Sequence, residues 1–576
     1  MEQYDVLVVG SGGTGQRAAL EAAHQKGLRV AVVTKIYPTR SATAMAQGGI
    51  NACLNNVAKE DTVETHIFDT VKGSDYLGDQ DAIEYFISRC PEGVQEMDYF
   101  GAPFSRTDEN KIAQRNFGGQ SYPRTCYSAD KTGHVIEHTL YEQCLKQGVH
   151  FLEEWYLLDI IKDAEGKVAG IVAWNMKEGR VEKIATKALV IATGGAGRMY
   201  WTRTTNPYTS TGDGIAACFR AGCAIKDPEM MQFHPTGLGK TGILMSEAVR
   251  GEGGYLLNNK GERFMKKYAP NKMELASRDV VAKAIELEIA AGRGFNGKGL
   301  DAYVVAELRH LPKETILEKL HGIRDLAITF EHADPLVQPI PIRPTCHYTM
   351  GGVDVTDYKT AGTVIPGLFV AGEASCVSLH GANRLGGNSL ADAVVMGKVA
   401  GEGAIGYVKE NTGADLDETA KLLDEAAANW DKKFVEVTSR TNGRPVVEIR
   451  DDMANTMWNK VGIFRDEKRM TEALDELNKL IEEYKTCFVG DTNRTFNMAF
   501  INYVEIGSML TYAKAVVMGA LRRKESRGSH IREDFEKRDD QNFLNHTLIT
   551  LGKDGEYEVG QRDVVITRFE PQERTY

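Results

Sequence analysis

Two kinds of residue in this sequence can do chemistry: glycine clusters that follow short apolar runs, and His, Arg and acidic side chains set between them. Gly10-Ser11-Gly12-Gly13-Thr14-Gly15 comes directly after Asp5-Val6-Leu7-Val8-Val9, and helix formers from Arg17 to Ala23 follow. A second apolar run, Val30-Ala31-Val32-Val33, completes a strand–GxGxxG–helix–strand unit of about 30 residues, the context of dinucleotide binding. Glycines there permit the tight turn and the close approach of a pyrophosphate, to which the helix start offers unpaired N–H groups. An acid should end the second strand to hold a ribose, yet Thr34-Lys35 stands there, which counts against a plain NAD site. Two more strand–glycine junctions favour FAD. Lys187 to Ile191 runs into Ala192-Thr193-Gly194-Gly195 and on to Thr211-Gly212-Asp213-Gly214, while Gly367 to Val370 runs into Ala371-Gly372-Glu373. Gly386-Gly387-Asn388-Ser389-Leu390 then opens an Ala-rich helix. Junctions so far apart in sequence suit an extended cofactor.

Between and after these clusters lie His234-Pro235-Thr236-Gly237, Ser246-Glu247-Ala248-Val249-Arg250-Gly251, Ser277-Arg278-Asp279, His347-Tyr348-Thr349-Met350-Gly351-Gly352 and His380-Gly381-Ala382-Asn383-Arg384. With DKTGH (130–134), ATGGAGR (192–198), VGIFR (461–465) and KESRGSHIRED–KRDD (524–540), the chain closely resembles, nearly end to end, the flavoprotein subunit of succinate dehydrogenase and fumarate reductase. The resemblance implies interconversion of fumarate and succinate by hydride transfer at flavin N5. Fumarate is a dianion with an electron-poor double bond, so it needs cationic or donor groups at both ends. By resemblance His234, Ser246, His347 and Arg384 hold the carboxylates, and Phe117, in the NFGG segment, packs against the substrate. Arginine can clamp a carboxylate bidentately. Either histidine can donate from a ring nitrogen, with a pKa expected to rise beside a dianion. Ser246 stands where the family commonly has Thr, and keeps the hydroxyl.

Arg278 matches the family's proton donor. An arginine, with a pKa above about 12, is an unexpected acid. It works if the product carbanion is a far stronger base and the proton is replaced at once. Glu247 and Arg250 match the relay that resupplies it, and their i, i+3 spacing shares one face if the segment is helical. The FAD contacts that the resemblance implies are Gly10, Gly12, Gly13, Thr14, Gly15, Thr34, Lys35, Ser41, Ala42, Thr43, Gln47, Gly48, Gly49, Thr193, Gly194, Asp213, Glu373, Ser389 and Leu390. No metal site is expected.

One position departs from the family. Its members carry Arg-Ser-His-Thr before the Ala-rich GG segment, and that His bonds to the flavin 8α carbon. Here the run is Arg40-Ser41-Ala42-Thr43, and Ala42 has no nucleophile. His24 and His66 fall outside the motif. The expectation is dissociable, non-covalent FAD with a lower potential, which favours fumarate reduction over succinate oxidation.

These residues must be positioned by an α/β fold: a Rossmann-like FAD-binding domain with an inserted capping domain, a helical domain and a small C-terminal domain. The resemblance implies FAD-binding segments at 1–237 and 347–406, a cap at 238–346, a helical domain at 407–520 and a C-terminal domain at 521–576. The recurrence of Leu474, Leu477, Ile481 and Tyr484 at three- and four-residue steps reads as a helix packing on the body. The 576 residues allow several domains and a sizeable core. A net charge of −11 argues against a nucleic-acid-binding surface while leaving room for a local cationic pocket. The 58 glycines, about a tenth of the chain, exceed the ordinary share and concentrate in the clusters above.

No apolar run approaches the ~18 to 20 residues needed to span a bilayer, and the N-terminus reads straight into a strand with no export signal. The nine cysteines are scattered without a CxxC pair, so no iron–sulfur cluster is indicated in this chain. The resemblance therefore implies a separate iron–sulfur subunit, with membrane anchor subunits binding quinone, and a peripheral place on the cytoplasmic side of the cell membrane. Two other readings stay open: L-aspartate oxidase, a related enzyme with non-covalent FAD, and a non-catalytic FAD-bearing scaffold. Against the oxidase, KRDDQNFLNHTL (537–548) and the terminal Glu-Arg-Thr-Tyr fit the dehydrogenase and reductase side better.

Overall fold

The computed structural model describes residues 1–297, 301–411 and 416–574; Thr575 and Tyr576 of the terminal run lie outside the described residues. Its central sheet has seven strands, in the order His150–Glu153, Val30–Thr34, Glu2–Val9, Arg180–Ile191, Val168–Asn175 and Trp155–Lys162, with Leu368–Val370 also paired to Arg180–Ile191. The first four strands and Leu368–Val370 run parallel, and the hairpin strands from Trp155 and Val168 are antiparallel. Strands covered on both faces read as unbroken apolar runs, as Val30–Thr34 does with all five residues buried.

Register explains why three distant glycine clusters matter together. Val9 pairs with Val33 and with Ile191, and Ile191 pairs with Val370, so the strands end at one level. The chain turns there at Gly10 (φ +107°), where a Cβ would lie 2.2 Å from the Ala192 carbonyl oxygen. Gly15 packs the Gly13–His24 helix on that turn; its Cβ would sit 1.8 Å from the Gly10 carbonyl oxygen. The Asn388–Glu410 helix crosses the first helix through Gly397 and Gly401, where a Cβ would come within 2.7 Å of the Thr14 and Ala18 carbonyls.

A second apolar core collects Leu238, Val249, Leu256, Ile285, Val304, Ile340 and Ile342. It packs on an antiparallel sheet of Met231–Leu238, Ile340–Thr349, Val304–Glu307 and Tyr255–Leu257. The two long strands of that sheet lead back to the main body and carry His234 and His347.

Helices Leu416–Thr438, Val446–Val461, Glu467–Tyr484 and Met498–Arg522 follow. On Glu467–Tyr484 the expected stripe faces inward: Leu477 is buried, with Leu474, Ile481 and Tyr484 half-buried against the core, and Met470, Ala473 and Leu480 complete it. Met498–Arg522 corrects the expectation about apolar runs. Its 25 residues are long and apolar enough to cross a membrane, but 67% of its apolar 18-residue window is buried within this protein. Its apolarity comes from being enclosed on several sides rather than along one stripe. All nine cysteines are buried and unbridged.

Candidate active site

One continuous cavity of about 490 Å³ runs from the start of the first helix to the Arg and His residues between the two cores. All of the substrate-binding residues named from sequence line it, and so do all of the FAD contacts except Gly15. Gly15 serves helix packing instead. Of the proton-transfer set, Arg278 and Glu247 line the cavity, and Arg250 stands behind Glu247.

At one end, Gly12 starts the helix with no side-chain cap, leaving its first N–H groups to other partners. Thr43 Oγ1 takes one of them, from Gly13 N at 3.0 Å. The acid missing from the second strand arrives from elsewhere. Asp213, first in the Asp213–Ala221 helix, accepts from Lys35 Nζ at 2.5 Å, from the Tyr156 hydroxyl at 2.7 Å and from Thr211 at 2.8 Å. Lys35 also reaches Glu505 at 2.6 Å, a residue that sequence reading passed over. A Cβ on Gly194 would meet no atom within 4 Å, so the backbone faces open space. Thr193 Oγ1 and Gln47 Oε1 are buried without a partner. Bare backbone and unpaired donors and acceptors along one cavity fit a long polar cofactor. Glu373, which accepts from Thr349 N at 2.9 Å, is pushed up to about 7 by burial.

At the other end the pocket is cationic. The His234 and His347 rings stand 4.8 Å apart. Thr236 N donates to His234 Nδ1 at 3.2 Å, which leaves Nε2 of the neutral ring to carry the proton. His347 Nδ1 bonds the Thr205 hydroxyl at 2.7 Å. Sequence reading expects these pKa values to rise beside a dianion; in the protein itself both are well below the usual histidine value. Burial is the main cause, and the charges of Arg278 and Arg384 add to it. Arg384 lies 4.4 Å over the Tyr348 ring and is lowered to about 9 by burial and by Arg278.

Arg278 opens the Arg278–Ala290 helix and donates from Nε to Glu247 Oε2 at 2.8 Å. Glu247 Oε1 accepts from Gly118 N at 2.7 Å and lies 3.5 Å from Arg250 Nη2. Burial alone would raise this carboxyl, but Arg250 and Arg278 outweigh it and hold it ionised. The i, i+3 expectation is met: Glu247 stands at the N-cap position of the short Ala248–Gly251 helix, with no side-chain cap bond, and its carboxylate pairs with Arg250. Phe117 is buried against Gly48 and Gly386, and Ser246 is buried close by.

Gln232 was missed. Its Oε1 accepts from Arg278 Nη1 at 3.2 Å and from Arg384 Nη2 at 3.1 Å, and its Nε2 donates to Asn383 Oδ1 at 3.0 Å and to the Arg384 carbonyl at 2.7 Å. The only signal was its place two residues before His234 in one strand.

A parallel sheet whose strands end at one level, an uncapped helix start and an elongated cavity lined by bare backbone define an FAD-binding protein of the α/β class. The FAD binding domain profile matches residues 5–390, and that of the fumarate reductase flavoprotein C-terminus matches 450–576. The 8-methylmenaquinol:fumarate reductase flavoprotein subunit of Wolinella succinogenes is 48% identical, over 99% of this chain and 92% of that relative. The succinate dehydrogenase flavoprotein subunit of Coxiella burnetii is 44% identical, over 95% of this chain and 94% of its own. Among solved structures, E. coli quinol fumarate reductase FrdA superposes with a TM-score of 0.94 at 38% identity, covering 100% of this chain and 99% of that one. The chain belongs to the family of flavoprotein subunits of fumarate reductase and succinate dehydrogenase, and it is an oxidoreductase.

Proposed function

We propose that this chain interconverts fumarate and succinate on non-covalent FAD, and that it favours fumarate reduction. The observation that carries this reading is the charge of the pocket. Arg278, Arg384, His234 and His347 converge on one end of the cavity, with Glu247 the carboxylate paired to Arg278. FAD, when bound, supplies the hydride chemistry at flavin N5. Arg384 and His347 hold the substrate carboxylates, with Ser246 beside them and Phe117 walling the pocket. His234 donates from Nε2, since Nδ1 is already taken. Arg278 delivers the proton to the substrate carbon. Glu247 passes one on to Arg278 through the Nε contact after taking it from Arg250, which is resupplied from water, so that Glu247 is ionised between deliveries. Segment 238–346, with its own core, acts as the cap.

Ala42 lines the cavity in place of the family's flavin-linking His, which supports dissociable FAD. A flavin without the 8α link has a lower potential, and that disfavours electron uptake from succinate. Electrons reach this chain from an iron–sulfur subunit and, through membrane anchor subunits, from quinol. The name of the Wolinella relative supports a quinol as the ultimate donor. Such partners place the chain peripherally on the cytoplasmic face of the cell membrane.

Two measurements test this reading. Fumarate-dependent oxidation of a reduced dye should outrun succinate-dependent dye reduction; peroxide release on aspartate without fumarate turnover overturns it in favour of L-aspartate oxidase. After denaturation, flavin fluorescence should stay in the supernatant; flavin in the pellet overturns the non-covalent attachment.

A further inference from the structure

Glu137 lies in the Thr132–Lys146 helix with its side chain fully buried, and neither carboxyl oxygen has a hydrogen-bond partner. The groups that face it belong to one segment: the Ser41 hydroxyl and the backbone N–H groups of Ser41 and Ala44. That segment walls the cavity from Ser41 to Gln47. It also meets the first helix, where Thr43 Oγ1 accepts from Gly13 N at 3.0 Å and a Cβ on Gly12 would lie 3.2 Å from Ser41 Oγ. On the helix that carries Glu137, Gly133 is pressed on the loop so closely that a Cβ would sit 1.9 Å from the Thr43 carbonyl oxygen. A buried acid thus backs the loop that shapes the anion-binding end of the cavity.

Among the described residues no cation offsets it. On the first helix Arg17 is engaged by Glu21 and Glu96. On its own helix His134 and His138 pack on each other, 4.2 Å between ring centroids. Arg40, in the loop strand, is exposed. An ionised Glu137 would draw on the Ser41 and Ala44 N–H groups and the Ser41 hydroxyl but would have no counter-charge, and burial outweighs those donors. The neutral acid is tolerated and can donate one hydrogen bond to the loop. Burial accordingly pushes the group up to about 7.

We propose that Glu137 is a proton-operated latch on the cofactor: neutral, it leaves the 41–46 loop and its N–H groups free to close on the FAD diphosphate, and on ionisation it draws the Ser41 and Ala44 N–H groups towards itself, adds a negative charge behind the loop and loosens the hold. The latch rests on the non-covalent reading of FAD. Glu137 is a positioning residue, acting through Ser41 and Thr43. Linkage fixes the sign. FAD binds best with the proton on Glu137, so the dissociation constant rises with pH once the acid titrates, approaching tenfold per pH unit for one coupled proton.

The test follows FAD release by flavin fluorescence between about pH 5.5 and 8.5 in wild type and in Glu137→Gln. The expected result is weakening with pH in wild type and a flat profile in E137Q. Parallel profiles, or a flat wild-type profile, overturn the latch. Infrared difference spectra of wild type at the two ends of the range supply a second readout independent of release. A neutral-acid carbonyl band that E137Q lacks, beyond any that Glu373 gives in both proteins, should be present at the acid end and lost at the alkaline end, and its absence at the acid end overturns the latch even if E137Q does not load FAD. Flavin left in a denatured pellet would refute non-covalent attachment instead, and the infrared band would still decide whether Glu137 holds its proton.

Discussion

Arg278 Nε sits 2.8 Å from Glu247 Oε2, and the far oxygen of the same carboxylate accepts from the Gly118 backbone at 2.7 Å. Glu247 is thereby fixed from both sides and cannot swing away from the guanidinium. The pair is nearly water-free, at 8% and 1% side-chain exposure. In the proposed relay, a proton leaving Arg278 for substrate is therefore replaced through Glu247 without either side chain moving.

Glu247→Gln keeps this shape and removes the charge. Arg250, whose Nε and Nη2 have no hydrogen-bond partner, then loses its nearest anion. Loss of a positioned proton relay costs about 10²- to 10⁴-fold in rate. Steady-state assays with a reduced dye should show kcat for fumarate down by about that factor, while KM moves only a few-fold because Glu247 does not hold a carboxylate. A variant that keeps its kcat would remove Glu247 from the relay.

Gln232 couples Arg278, the proposed proton donor, to Arg384, the proposed carboxylate clamp, because one oxygen accepts from both. Gln232→Leu leaves two buried donors unpaired, at about 1–3 kcal/mol each if nothing replaces the bond. Titration with an unreactive dicarboxylate should show about tenfold or greater weakening of binding. Unchanged affinity would reduce Gln232 to packing.

The sheet and its turns were legible because local sequence dictates them. The apolar run to Val9, the glycines at 10, 12 and 15 and the helix formers after Arg17 all specify one structure, and the register of Val9, Ile191 and Val370 brings the other clusters alongside. The pocket was legible through family motifs, since His234, Arg278, His347 and Arg384 come from four separate stretches that no periodicity connects. Gln232, Thr205 and Glu505 escaped because an uncharged or ordinary side chain acquires a role only from what lies opposite it in the fold. Helix Met498–Arg522 was misjudged for a related reason: a helix enclosed by its neighbours and one that spans a membrane can have the same composition.

His234 and His347 also predict the acid limb of stability. Burial and nearby arginines hold both well below the usual histidine value, so the folded protein keeps them neutral while the unfolded chain protonates near pH ~6.5. Their contribution is therefore present above about pH 6.5 and is lost as the pH falls toward their depressed folded values, by up to about 1.4 kcal/mol per pH unit for each. Urea unfolding between about pH 7 and 5 should show this slope in wild type and a shallower one in His347→Asn. A bound dicarboxylate should flatten it too, because the dianion favours the protonated rings. Equal slopes in all three samples would mean that these rings do not set the acid limb.

His546 predicts the opposite limb. It lies between Asp227, at 2.6 Å from Nδ1, and Asp79, at 3.1 Å from Nε2. Burial alone would lower its pKa, but the two carboxylates outweigh burial and raise it to about 9. A raised histidine stabilises fully below its unfolded value, near pH ~6.5, and that stabilisation fades as the pH climbs through about 9. The shift corresponds to about 3 kcal/mol between the two ends of that window. The ring ties strand Asn545–Leu551 to Asp227, four residues before the strand that carries His234, so alkaline loss of its proton loosens the C-terminal sheet beside the pocket strand. His546→Gln retains polar contacts and discards the charge. Its melting temperature should fall well below that of wild type near pH 6.5 and approach it near pH 10. A deficit of the same size at both ends would mean that the ring's shape matters there and its charge does not.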